Sequence, residues 1–185
     1  THYVKLDVNE VQSGAQKELI VQKKSFPDKY KNIVRKIEDS GTLVIWSNLS
    51  NPTWARGEST LKNAASIIGS MYRSFLDEGS LTIRMVNITS NKKMSEFMCK
   101  PNDPLYLMKN SQTPAPWSDR AMFELLREDD YPVKFNDKTY SIKIKSSFSL
   151  KEARAGDSAG NTPHGQHAKN NMGISLLREG REINL

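Results

Sequence analysis

The segment Gly160-Asn161-Thr162-Pro163-His164-Gly165-Gln166-His167-Ala168-Lys169-Asn170-Asn171-Met172-Gly173 gathers glycines, amides, two histidines and one lysine, with almost nothing to bury. Such a stretch offers backbone and side-chain donors but only weak general bases. It therefore suits holding an anion better than hydrolysing a bond, although a solvated surface loop has the same composition. Just downstream, Arg178 and Arg181 lie three residues apart around Glu179-Gly180. That spacing lets both face one anion, or lets each pair with Glu179 or Glu182. Towards the other end, Ser40-Gly41-Thr42 leads into Leu43-Val44-Ile45-Trp46-Ser47-Asn48-Leu49. A glycine lets backbone approach a ligand closely, and a threonine hydroxyl both donates and accepts. The same residues also make a plain tight turn into a strand.

A basic stripe is the remaining feature with chemical content. Lys134, Lys138, Lys143, Lys145, Lys151 and Arg154 stand against Asp137 and Glu152. In Tyr140-Ser141-Ile142-Lys143-Ile144-Lys145 the isoleucines take one face of a strand and the lysines the other. That pattern makes either a solvated face or a surface tracking a nucleic-acid backbone through Lys138, Lys143 and Lys145. Other chemistries find little footing. His164 and His167 have no cysteine or carboxylate close by in sequence, so no metal site is expected. Ser175 lacks the second glycine of a nucleophile elbow, and no glycine-rich P-loop is present. Cys99 is the one cysteine among 185 residues, which excludes an internal disulfide.

These groups must be positioned by a chain of ordinary globular composition, 37% apolar and 26% charged, with a formal net charge of +6. No apolar run approaches the ~20 residues that span a bilayer, so no membrane partner is expected and the cytoplasm is the default compartment. The start at Thr1 fits an excised fragment. Alternation predicts a half-buried strand over Tyr3–Val8 and an edge strand at Leu19–Val21. Pro27-Asp28 opens a helix carrying Tyr30, Ile33, Val34 and Ile37, and Thr42–Trp46 reads as a central strand. Asn51-Pro52 marks a domain boundary, giving domains 1–50 and 51–185. The stripe Leu61, Ala64, Ala65, Ile68, Met71, Tyr72, Phe75 and Leu76 predicts one helix over Glu58–Leu76, stopped by Gly79. A strand over Leu81–Ile88, a strand with long loops over Phe97–Pro116 and a short helix over Ala121–Arg127 follow. Strands at Val133–Phe135 and Thr139–Ser147 are joined by Asn136-Asp137. Gly156–Gly173 reads as an irregular loop, and Ile174–Arg178 as a closing strand. The order is mixed α+β.

Two of these segments, Gly41 to Leu49 and Asn170 to Ile183, resemble parts of the GHKL ATPases: the gyrase B subunit, the MutL repair proteins, the heat-shock chaperone and the MORC ATPases. Gly41-Thr42 with Trp46 and Asn48 is similar to the last strand of their nucleotide-binding domain, and Gly173-Ile174-Ser175-Leu176-Leu177-Arg178-Glu179-Gly180-Arg181 to the end of their transducer domain. The resemblance implies residues 1–50 as the C-terminal part of the nucleotide domain and 51–185 as a transducer. That transducer would be a mixed or antiparallel sheet with helices on one face and a left-handed β-α-β crossover of the ribosomal-protein type. It further implies that Gly41 and Thr42 meet the adenine, and that Lys169, preceded by Gln166, reaches the terminal phosphate of ATP, with Arg178 and Arg181 as further candidates. The glutamate that activates water, the asparagine that holds magnesium and the glycine-rich base-binding turn do not occur here. By the resemblance, ATP and Mg are bound mainly by an upstream ATPase domain, the fragment alone does not hydrolyse ATP, and ATP drives homodimerisation. A nucleic-acid-binding module using strand 138–145, or a structural domain of a chaperone-like machine, are the other readings.

Overall fold

The apolar stripe that begins at Leu61 folds as a helix, and a break within it sets how the second half of the chain is arranged. The computed structural model describes residues 2–31, 41–47, 56–89 and 94–183. The chain divides into two compact units, Thr1–Ser50 and Asn51–Leu185.

In the first unit β1 (His2–Tyr3) pairs antiparallel with β2 (Gln22–Lys23), and α1 (Val8–Gln12) lies between them in sequence. The strand expected over Tyr3–Val8 is cut short by Asp7. Its carboxylate accepts the amide hydrogens of Asn9 at 3.1 Å and Glu10 at 3.5 Å, an N-cap that turns the chain into helix at Val8. The edge strand falls at Gln22–Lys23 instead of Leu19–Val21. The helix announced by Pro27 is described as α2 (Asp28–Lys31), and Ile33, Val34 and Ile37 lie outside the described residues. Thr42–Trp46 corrects the sequence reading. Residues 41–47 are exposed and pair with no strand among the described residues. Strand propensity reflects packing on a sheet, and among the described residues none pairs with this segment.

In the second unit α3 (Gly57–Met71) ends at Tyr72, and α4 (Arg73–Asp77) follows at once. The stripe is therefore two helices meeting at an elbow, closed by Gly79 at φ 74°. Gly69 is the buried residue of α3. A Cβ there would stand 2.5 Å from the Lys100 carbonyl oxygen, so glycine is what lets the following loop cross the helix. The crossing is fastened by Asn102 N–H donating to Gly69 C=O at 3.0 Å, and by the Gln112 amide donating to the carbonyls of Ala65 and Lys100, each at 2.7 Å.

β3 (Arg84–Ile88) and β4 (Met94–Met98) form a hairpin. The loop after Met98 carries much of the core: Tyr106, Trp117 and Met122 pack with Ala153, and Phe123, Leu150 and Ala168 close over them. Buried Asp103 orders this loop, its carboxylate accepting the amides of Leu105, Leu107 and Met108 at 3.0, 2.8 and 3.1 Å.

β5 (Phe123–Phe135) and β6 (Lys138–Ser149) make a long hairpin around Asn136 (φ 47°) and Asp137 (φ 60°), the two left-handed residues of a tight primed turn. Its first residues replace the short helix expected over Ala121–Arg127. Leu125-Leu126 breaks strand alternation, and a bulge between Leu125 and Arg127 absorbs the extra residue. Helix propensity there yields to cross-strand pairing with Ser146–Ser149.

Gly156–Gly173 is not an irregular loop. After short 3-10 turns at Glu152–Arg154 and Ala159–Asn161 it forms α5 (Pro163–Asn170), capped by Thr162, whose hydroxyl accepts Gly165 N–H at 3.1 Å, with Pro163 in the first turn. β7 (Leu176–Arg178) and β8 (Arg181–Ile183) close the chain around Glu179-Gly180.

The chain is thus α+β with small antiparallel sheets. Where the resemblance implies one mixed or antiparallel sheet over 51–185, the described residues of that unit hold three two-stranded antiparallel sheets, and those of Thr1–Ser50 hold a fourth. Among the described residues there is no parallel pair, and hence no β-α-β crossover between paired strands. Local turns close the β5–β6 and β7–β8 hairpins, and the loop of residues 99–122 directs backbone groups to Asp103 and α3.

Candidate functional site

Helix α5 has two working faces. On one, Gln166 and Lys169 are spaced to lie side by side. The Gln166 amide donates to the Gly160 carbonyl at 3.1 Å. Lys169 lies over the same glycine: a Cβ at Gly160 would be 3.4 Å from both its Cε and its Nζ. The structure thus brings these two sequence candidates together on a helix instead of a loop. Lys169 is exposed and makes no ion pair among the described residues.

The opposite face is anchored by a polar network that sequence reasoning missed. Asn171, the C-cap of α5, donates to Asn102 Oδ1 at 3.1 Å and to the Tyr106 hydroxyl at 3.0 Å. Tyr106 Oη lies 2.8 Å from His167 Nδ1. Burial pushes the Tyr106 hydroxyl up to about 12, so it stays protonated and donates. Burial also holds His167 below the ordinary histidine range, which leaves a neutral ring whose Nδ1 accepts. Asn102 in turn donates to the hydroxyls of Ser66 at 3.3 Å and Ser70 at 3.0 Å on α3. Donors and acceptors match along the whole chain of groups, from α3 through the loop to α5.

A second cluster holds the β7–β8 hairpin on the α3–α4 elbow. Arg73 is 4% exposed; it donates to Ser70 C=O at 2.9 Å, to Glu182 at 3.0 Å and to the Ser175 hydroxyl at 2.6 Å, while Ser175 donates to Glu182 at 2.6 Å. Arg181 lies over the Tyr72 ring, 5.2 Å from its centroid, and Gly180 packs against Phe75. Arg178 and Arg181 are cross-strand partners and share a face of the hairpin. Arg181 is engaged by Tyr72, and Glu182 by Arg73, so the Arg181–Glu182 pairing considered from the sequence does not form. Between α3, Asn171 and Glu182 runs a polar groove of about 240 Å³, lined also by Ser66, Ser70, Met71 and Asn102.

The arrangement positions groups and contains no activated nucleophile. Ser175 gives its proton to a carboxylate already bound to Arg73, and His167 is occupied by Tyr106. Gly41 and Thr42 belong to the other unit, where both are exposed. Lys143 and Lys145 each pair with Glu128 at 3.1 Å, and Lys138 sits at the hairpin tip opposite Phe135. No group of three His, Cys, Asp or Glu residues that could hold a metal is found among the described residues, and no described helix is long and apolar enough to cross a membrane.

A signal for part of the missed network was present. Thr162-Pro163 is an N-cap followed by a first-turn proline, which marks a helix start. Arg73 gave no signal: it follows Tyr72 inside an apolar stripe and reads as a solvated residue. Comparison with protein-family models, with curated proteins and with solved structures finds no match to this chain.

Proposed function

We propose that this chain is the nucleotide-sensing segment of a GHKL-type ATPase, a transducer in which Lys169 responds to the terminal phosphate of ATP. The observation that carries the reading is the build of α5. One face presents, beside Gln166, a lysine ammonium that makes no ion pair among the described residues, and the other is tied through His167 and Asn171 to Tyr106 and Asn102. A cation held on an anchored helix can report whether an anion is present, because its gain on binding passes to the elements that anchor it. The similarity of Gly41–Leu49 and Asn170–Ile183 to that family supports the same reading.

The residues present fit part of such a ligand. Lys169 and Gln166 are donors suited to phosphate oxygens, and Arg178 is exposed on the neighbouring hairpin. None of them is a carboxylate that would hold magnesium, so the proposal assigns Mg and most of the ATP contacts to an upstream domain, with Gly41 and Thr42 at the adenine. Bound ATP supplies the negative charge. The chain's own part is to place Lys169 and to pass the change through Asn171 to the α3–α4 elbow. Nucleotide-dependent homodimerisation belongs to the same proposal. With Lys143 and Lys145 paired to Glu128, no observation favours the nucleic-acid reading.

The test is ATP turnover by the polypeptide that joins this chain to its preceding domain. Lys169→Ala is expected to lower kcat by roughly 100-fold and leave ATP affinity within a few-fold, since a charge at the terminal phosphate acts mostly on the transition state. Failure of that polypeptide to bind ATP, or unchanged turnover in Lys169→Ala, refutes the proposal.

A further inference from the structure

The register of the β5–β6 ribbon sorts its side chains onto two faces. Residues directly opposite share a face, so Asp129, Tyr131, Val133 and Phe135 stand with Ile144, Ile142, Tyr140 and Lys138, while Glu128 and Asp130 stand with Lys145 and Lys143. On the charged face Glu128 holds both lysines at 3.1 Å, and Ser141 donates to Asp130 at 3.2 Å. The other face is apolar and open. Its six large apolar residues are between 39% and 64% exposed.

A two-stranded hairpin standing alone is marginal in water, and an open apolar patch of more than a few hundred Å² marks a contact surface. Six such side chains at half exposure present on the order of 600 Å². Two copies would together bury about 1,200 Å², the lower end of the range for specific protein interfaces.

We infer that this face joins two copies of the chain, ribbon against ribbon, around a two-fold axis that reverses the strand direction. Charge selects the direction. The face carries Lys138 at its tip and Asp129 towards its base, with the apolar rows between them. The reversed arrangement sets each copy's Lys138 row over its partner's Asp129 row, and the Tyr131–Ile142 row over the Val133–Tyr140 row. A parallel arrangement would bring the two Lys138 rows together and the two Asp129 rows together. Among the described residues of its own copy Asp129 pairs with exposed Arg127 alone, an interaction of little strength that leaves it able to take a second cation. A closed two-fold contact of this kind is self-complementary and stops at two copies. It needs no nucleotide and does not rest on the nucleotide-sensing reading.

Sedimentation equilibrium of the 185-residue chain without nucleotide tests it. A dimer with Kd on the order of 10 µM is expected. Asp129→Lys and Lys138→Asp, each alone, place like charges over one another at both ends and are expected to weaken association at least tenfold. An equimolar mixture of the two variants restores opposite charges at both ends, and is expected to associate within a few-fold of the unchanged chain. Recovery on mixing also shows that neither variant has lost its fold. Three results overturn the inference: a chain that stays monomeric to about 200 µM, single variants that associate as tightly as the unchanged chain, or a mixture no tighter than its components. A monomer would leave this face to a partner of another kind.

Discussion

Arg73 is buried and ties the α3–α4 elbow to the β7–β8 hairpin. Its guanidinium reaches Glu182, 109 residues away in sequence, and Ser175, 102 away. Arg73→Ala removes the cation and leaves a largely buried carboxylate without its partner. Stability is expected to fall by about 3–5 kcal/mol, read from urea unfolding. Arg73→Met combined with Glu182→Leu is expected to lose less than Arg73→Ala alone, because no charge is then stranded; a larger loss would mean that packing, not the ion pair, dominates. His167 gives a second test at this scale. Burial holds its folded value below the ordinary 6.5, so the unfolded chain takes up a proton first as the solution is acidified. The stabilisation is complete above pH ~6.5 and is lost progressively as pH falls below that value. The urea midpoint should therefore drop between pH 7.5 and 5.5, and His167→Gln should flatten that slope. A slope unchanged by the substitution would place the titrating group elsewhere.

At the scale of elements, one glycine and one cap decide what can pack. Gly69→Ala improves helix propensity by up to about 1 kcal/mol, yet its Cβ would stand 2.5 Å from the Lys100 carbonyl oxygen. The clash is expected to win, with a net loss of about 1–3 kcal/mol in denaturant unfolding. A neutral or stabilised variant would mean that the loop does not cross α3 so closely. Helix α5 is short and polar, so its cap matters more than its propensity. Thr162→Ala is expected to cost about 1 kcal/mol. Amide hydrogen exchange across Pro163–Asn170 should speed up more than exchange in α3.

The two units differ most in what they bury. Among the described residues of Thr1–Ser50 none is buried, and Leu6, Ile20, Val44 and Trp46 are at least 63% exposed. Asn51–Leu185 carries the Tyr106–Trp117–Met122–Ala153 core. Ordering a residue costs roughly 1–2 kcal/mol, which apolar burial must offset. Residues 1–50 prepared alone are therefore expected to show no cooperative thermal transition by circular dichroism, whereas residues 51–185 should melt cooperatively. A sharp transition in the shorter piece would show that it holds a core of its own.

Features decided by neighbours along the chain were legible in the sequence. Asn136-Asp137 and Glu179-Gly180 make their turns because the left-handed conformation is a local property of those residues. The Leu61–Leu76 stripe made helix because its period lies in the sequence itself, whereas Lys169 and Gln166 were singled out through the family resemblance. What only the tertiary structure decided depends on pairing across distance. Leu125-Leu126 became strand because Ser146–Ser149 lie alongside. Thr42–Trp46, with every mark of a strand, pairs with no strand among the described residues. Tyr72 became an elbow where the periodicity ran straight through it. The groups that hold the candidate site, Tyr106 with His167 and Arg73 with Ser175 and Glu182, are 61 to 109 residues apart. Each is an ordinary polar residue until the chain returns and removes its water. Desolvation makes those hydrogen bonds obligatory, and it exists only once the core has formed.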